Sequence, residues 1–200
     1  IGREVAALHP ETAVHTGVAR PLGMILRQPA VVVAMAAMVF GQAVMVMLMV
    51  ITSLHMKDHD HALTDISLVI SSHTFGMFAF SIVSGRLADR WGRRPVIIFG
   101  AATLVLSCLA APLSPHVLPI AVSLFLLGLG WNFCYVGGSS LLADQLSPTE
   151  RSRTQGFNDL LLGLTSAVGS LASGVVFAAL GYAAMGFVGA LVALIPLGLA

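Results

Sequence analysis

A chain of 200 residues that is 57% hydrophobic and only 10% charged is not a soluble domain, which carries about 25% charged residues. Its mean hydropathy of +0.92 reads as a polytopic membrane protein, and its 20 glycines fit helices packed in a bilayer. The net charge of +1 is neutral on partners, but where the charges sit is informative. Cys108 and Cys134 lie inside apolar runs and read as small buried hydrophobes, not a disulfide framework.

Residues 1–28 form a polar leader, with no signal peptide ahead of it. Near its end Leu22, Ile25 and Leu26 fall at helical spacing between Arg20 and Arg27. That spacing fits a short helix on the membrane surface or a plain lead-in to the first span. Residues 30–54 carry no charge and exceed the ~20 helical residues that cross hydrocarbon about 30 Å thick. Residues 55–65 are an aqueous loop and 66–85 a second span. A charged connector follows, then a third span at 95–111, closed by Pro112-Leu113-Ser114-Pro115-His116. The fourth span is 117–143. Ser147-Pro148-Thr149-Glu150 then offers an N-cap, a proline at the first helical position and a capping-box glutamate. Residues 160–200 hold no charge and are too long for one crossing. Gly181-Tyr182 is the natural break, giving spans at about 156–179 and 183–200. The expected fold is all-α, a six-helix transmembrane bundle over residues 29–200 with no soluble domain.

Charge tests that count, because alternate connectors face opposite sides. The leader, the 85–94 connector and residues 144–156 hold nine of the ten basic residues, and the other connectors hold Lys57 alone. The positive-inside rule makes the arginine-rich side, with both ends of the chain, cytoplasmic. The expected location is a plasma membrane, on this charge pattern a bacterial inner membrane.

The connector Gly85-Arg86-Leu87-Ala88-Asp89-Arg90-Trp91-Gly92-Arg93-Arg94 packs five charges into ten residues. Gly85, Asp89, Arg90, Gly92, Arg93 and Arg94 follow the pattern G-x-x-x-D-[RK]-x-G-[RK]-[RK]. This resembles the signature loop of the major facilitator superfamily of secondary transporters, between the second and third helices of a six-helix unit. The resemblance implies twelve spans in two halves, and a small solute moved by alternating access as the halves rock about a central site. The loop would act as a conformational gate. Gly85 would allow a close helix approach, Asp89 would meet a helix N-terminus in the other half, and no partner for Asp89 is expected within these 200 residues. The leader and the six spans fit the C-terminal half. The implied partners are the solute, lipids, the other half and a possible coupling proton. No nucleic acid, metal, cofactor or enzymatic activity is expected.

Polar groups near the middle of a span face protein or water. Gln42, His73, Trp131, Asn132 and Tyr135 are therefore candidates for the solute or proton pathway, with Asn132 and Tyr135 read as sharing a helix face and Ser139 a turn beyond. His73 either carries a proton or is a neutral histidine bonded to the next helix. Asn158 and Asp159 stand at the expected start of the fifth span and read as capping groups. His55, His59 and His61 with Asp58 and Asp60 match no strong metal spacing and read as a solvated loop. Met45, Met47 and Met49 alternate around the helix and read as apolar filler, not a copper site. Ser166, Ser170 and Gly174, with Gly169 and Ser173 alongside, read as a small-residue packing seam. Two other functions remain open: a transporter-like sensor, and an intramembrane serine hydrolase built on Ser139 and His73.

Overall fold

The computed structural model describes residues 19–200; the rest of the polar leader lies outside the described residues. A four-residue helix, α1 (Leu22–Ile25), leads into α2 (Pro29–Asp58), α3 (Leu63–Phe78), α4 (Ser81–Trp91), α5 (Arg93–Ala110), a 3-10 turn at Ala111–Leu113, α6 (Val117–Asp144) and α7 (Pro148–Leu199). Five stretches are long and apolar enough to cross a membrane, α3 and α4 counting as one. The longest, α7, is two arms. Gly181 sits at φ 77° and ψ −178°, a region that is essentially glycine-only, so the second arm folds back. Six crossings result.

The ends of the described chain agree. Ile25 from α1 and Ala200 from the last arm pack in one apolar cluster with Leu141, Leu142 and Leu146. A chain whose start and finish meet at one end has crossed the bundle an even number of times.

α6 is the axis, packing against α2, α3, α4 and α5, while α7 packs on α2 and α5. Glycines set these distances. Against α3, a Cβ on Gly128 would lie 2.2 Å from the His73 carbonyl oxygen, and one on Gly76 would lie 2.4 Å from that of Phe125. The contacts advance in fours on both helices: His73 and Met77 meet Gly128, while Gly76 meets Phe125 and Leu129. This is the close crossing that small residues permit in lipid, where nothing apolar drives helices together and packing must do so. Against α5 the contacts instead advance in sevens. Ser107 and Ser123 exchange hydroxyl-to-carbonyl bonds of 2.8 and 2.9 Å, Gly130 meets the Gly100 carbonyl, and Gly137 meets that of Arg93. A seven-residue step on both partners is the signature of nearly aligned helices.

Two expected boundaries move. The helix of the second span runs on past Gly85 through Trp91, because Arg86, Leu87, Ala88 and Arg90 are good helix formers. The fifth helix begins at Pro148, with Ser147 as N-cap and Glu150 completing the capping box. Asn158 and Asp159 are therefore almost three turns inside the helix and cap nothing. The seam on α7 is narrower than the five small residues expected. Gly169 and Ser173 are buried, while Gly174 is exposed and faces open space.

Chain start and α7 are latched together. Arg20 reaches both Glu150 carboxylate oxygens, with Nε at 2.8 Å and Nη2 at 2.8 Å. Its backbone N–H donates to the same carboxylate at 2.9 Å, and Nη2 also donates to the Gln145 carbonyl at 2.9 Å. Arg153 donates to the Arg20 carbonyl. The Ser147 N–H donates to Glu150 at 3.0 Å. The Arg20 side chain first, then these backbone donors, hold the Glu150 carboxyl well below the usual carboxylate range. Such a bidentate, charge-assisted pair has directional strength that an ordinary surface ion pair lacks.

Gly128→Ala should destabilise the full-length protein by about 2–3 kcal/mol, because backbone must move to admit the methyl group. Gly174→Ala, facing open space, should change the melting temperature in detergent little. For the latch, Glu150→Gln should lower thermal stability at neutral pH. A depressed folded-state pKa gives stability that is complete above the unfolded value. The gap between wild type and Glu150→Gln should therefore be flat above about pH 4.5 and shrink as pH falls toward the depressed value.

Candidate functional site

Three of the five pathway candidates come together. In the middle of the bundle the Trp131 indole N–H donates to Gln42 Oε1 at 2.8 Å, and Gln42 Nε2 donates to Ser166 Oγ at 2.9 Å. Ser166 in turn donates to the Leu162 carbonyl at 2.9 Å. Trp131 stacks on Tyr135, with ring centroids 5.0 Å apart and planes 16° apart, as residues one helical turn apart on α6 can. The relay ties α2, α6 and the first arm of α7 through half-buried side chains. Each polar atom is satisfied by a neighbouring helix, as an apolar layer demands. Ser166 was read as packing and is also the far end of the relay.

Asn132 faces elsewhere. Although three residues from Tyr135, its amide donates to the Met77 carbonyl at 2.6 Å and to Ser81 Oγ at 2.9 Å, and it accepts from Ser84 Oγ. It thus closes the break between α3 and α4, supplying a donor where Met77 ends a helix. The reading of one shared face for Asn132 and Tyr135 is corrected: Asn132 bonds α3 and α4, whereas Tyr135 stacks on Trp131 and packs against the cluster of Met38 and Leu142.

His73 is buried at the α3–α6 crossing, 1% exposed. Its Nδ1 is 3.0 Å from the Leu124 carbonyl, fixing that nitrogen as the donor, and Nε2 has no partner among the described residues. Ser139 donates to the Val136 carbonyl at 3.2 Å. It lies eleven residues beyond Gly128, the point where α6 meets His73, roughly 16 Å along the helix. The two residues form no nucleophile–base pair.

Beside the relay, toward the arginine-rich end, is a pocket of about 220 Å³ lined by Met38, Tyr135, Ser139, Gln155, Asn158 and Asp159 among others. Of these, Asn158 and Asp159 were assigned to a helix end. The missed signal is their distance from the N-cap: eleven residues past Ser147, Asn158 is already buried in the bundle, while Asp159 lines the pocket from an exposed position.

The 85–94 stretch is a folded helix end rather than a loop. Gly92, at φ 95° and ψ 161°, is the sole residue between α4 and α5, again in glycine-only backbone. Arg93 is its hub. Nη1 donates to the Ala88 carbonyl at 2.7 Å and lies 2.9 Å from the Asp89 carboxylate, while Nε lies 3.0 Å from Asp144 at the end of α6. Asp89 therefore does have a partner in this chain, because Arg93, four residues on across the glycine turn, swings back to it. The Asp89 side chain is still 75% exposed. Gly85 has no neighbour within 4 Å of a built Cβ, so the expected close approach is absent among the described residues. Arg86, Arg90 and Arg94 are exposed.

At the opposite end, His61 Nε2 is 2.7 Å from the Pro115 carbonyl and His55 stacks on Tyr182 at 4.0 Å. No cluster suited to a metal ion occurs among the described residues.

Known proteins are similar to this chain in sequence. The chain is 36% identical over 167 residues to the MFS-type transporter YdeG of Bacillus subtilis, covering 82% of this chain and 39% of the relative. It is 35% identical over 181 residues to YddS of the same organism, covering 87% and 42%. It is 34% identical over 155 residues to the riboflavin transporter RfnT of Brucella anthropi, covering 78% and 39%. The chain thus spans about two fifths of the length of these relatives. A family match running from residue 10 to residue 199, alongside relatives this similar, makes the sequence a member of the Major Facilitator Superfamily.

Proposed function

We propose that these residues are the C-terminal six-helix half of a secondary transporter that moves a small organic solute by alternating access. Relatives named as transporters, one of them for riboflavin, and another named a multidrug resistance protein support transport of a small organic solute. The observation that carries the site is the relay of Trp131, Gln42 and Ser166. It is a polar strip across three helices in an apolar layer, and such a strip is retained where solute or water passes. Its energetics suit that role, since each exposed bond to the relay can be exchanged for one to a solute at little net cost. The arginine-rich end is cytoplasmic by the distribution of basic residues, and the membrane is the bacterial plasma membrane.

The gate reading of the 85–94 stretch gains a physical form. Arg93 joins α4, α5 and the end of α6, and the exposed part of Asp89 remains free to meet the positive end of a helix in the other half. Exchange of Asp89 between Arg93 and that helix end would couple rocking of the halves to a local rearrangement. Arg86, Arg90 and Arg94 would hold this end at the headgroups. His73 is assigned to packing: sealed at the crossing, it offers a coupling proton no route to water.

A solute screen in cells lacking or overproducing the full-length protein should identify a transported compound. With that compound, Gln42→Leu should cut uptake by about tenfold or more at unchanged membrane abundance, since a lost buried polar pair costs over 1.4 kcal/mol. Wild-type uptake in that variant would remove the relay from the pathway. Asp89→Asn should lower the uptake rate while leaving insertion and melting temperature near wild type. His73→Asn should leave the pH dependence of uptake unaltered.

A further inference from the structure

We propose that the pocket between Tyr135 and Asp159 binds the ammonium group of an organic solute, a substrate class that rests on the transporter reading above. Its lining is rich in acceptors whose own donors are already engaged. The Ser139 hydroxyl donates to the Val136 carbonyl at 3.2 Å, leaving its lone pairs to the pocket. Asn158 is 4% exposed and its amide nitrogen is turned to the Met38 sulfur at 3.7 Å. Its carbonyl oxygen has no partner among the described residues. A buried unpaired acceptor is costly, and a bound N–H donor removes that cost.

Charge points the same way. Asp159 is the one carboxylate lining the pocket, and no lysine, arginine or histidine among the described residues lines it. A cleft with a single sign of charge and apolar walls, here Met38 and Leu142, concentrates ions of the opposite sign. Tyr135, which lines the pocket, adds an aromatic ring that favours a cation. Asp159 is exposed where it lines the pocket, almost three turns inside α7, and is the last charged residue before the uncharged remainder of the chain. A volume of about 220 Å³ accommodates an alkylammonium head and not a whole polycyclic solute. The remainder of the solute would lie toward the relay at Gln42.

The test uses the full-length protein in detergent with Ser139→Cys, or Gln155→Cys if the first variant folds poorly. Labelling rates are measured for 2-aminoethyl methanethiosulfonate, a cation, and 2-sulfonatoethyl methanethiosulfonate, an anion. Each rate is divided by that reagent's rate with a simple thiol in solution, after subtracting labelling of the protein without the added cysteine. The expected result is a cation preference of about tenfold that disappears with Asp159→Asn, returns with Asp159→Glu, and is reduced by Asn158→Leu. Dansylcadaverine, a primary ammonium, should protect the cysteine saturably, and its N-acetyl derivative should not. Equal rates for the two reagents, a preference unchanged by Asp159→Asn, or equal protection by both dansyl compounds would overturn the assignment. Labelling needs no turnover, so the two readings separate. Cation-selective labelling in a protein that transports nothing sustains the pocket and sinks the transporter, whereas transport without selectivity sinks the pocket alone.

Discussion

The approach of α3 to α6 at Gly128 is the constraint on which the bundle depends. At that crossing a carbonyl oxygen occupies the space where any other residue would carry its β-carbon. In lipid the surroundings are as apolar as the helix surface, so association rests on surface fit and polar pairs rather than on escape from water. Gly76 and Gly128 bring the two backbones together, and His73 and Asn132 then find carbonyls on the facing helix within bonding distance. The polar groups do not hold the helices apart from their packing; they are reachable because the packing is that close.

From this crossing the rest of the arrangement follows. α6 is held to α3 by steps of four and to α5 by steps of seven, so its remaining face must turn toward α2 and α7. That face carries Trp131, Tyr135 and Ser139, and it is there that the relay and the pocket form. The same spans differ in how much they bury. α2 and α6 are largely enclosed, whereas the α3–α4 span and α7 are mostly open. The enclosed axis is thus flanked by surfaces open to lipid or to another protein segment. The glycine turn at 92 and the latch of Arg20 on Glu150 lie at its arginine-rich end, where the ends of four helices are cross-tied by arginine side chains.

Much of the fold was legible because composition and backbone chemistry state it locally. The uncharged run at 160–200 demanded a break, and Gly181 was the residue able to supply it. Ser147, Pro148 and Glu150 announced a helix start, and the capping box is there. The site was less legible because periodicity gives a helix face but not its partner. Asn132 and Tyr135 are three apart, close enough to share a face, yet α6 is surrounded, and each finds a different neighbour. Ser166 is a small residue and fits a packing seam; that it also bonds Gln42 is a fact of the α2–α7 register. Asp89 was expected to lack a partner because the family resemblance points it at a helix of the other half; the glycine turn at 92 also swings Arg93 back to it. Asn158 was misplaced by an error of helix length: the polar start of α7 was read as connector.

The proposed function requires this bundle to move as a single rigid body within a larger transporter, so the most direct measurement is a distance within it during turnover. Spin labels at Arg94 on α5 and Ser152 on α7, both exposed, would report by double electron–electron resonance on the full-length protein. A third label in the other six-helix half, paired with Ser152, serves as the reference for motion. On addition of the transported solute the account predicts an unchanged distribution for the pair inside the bundle and a shifted one for the pair across the halves. A shift inside the bundle comparable to that across the halves would contradict it.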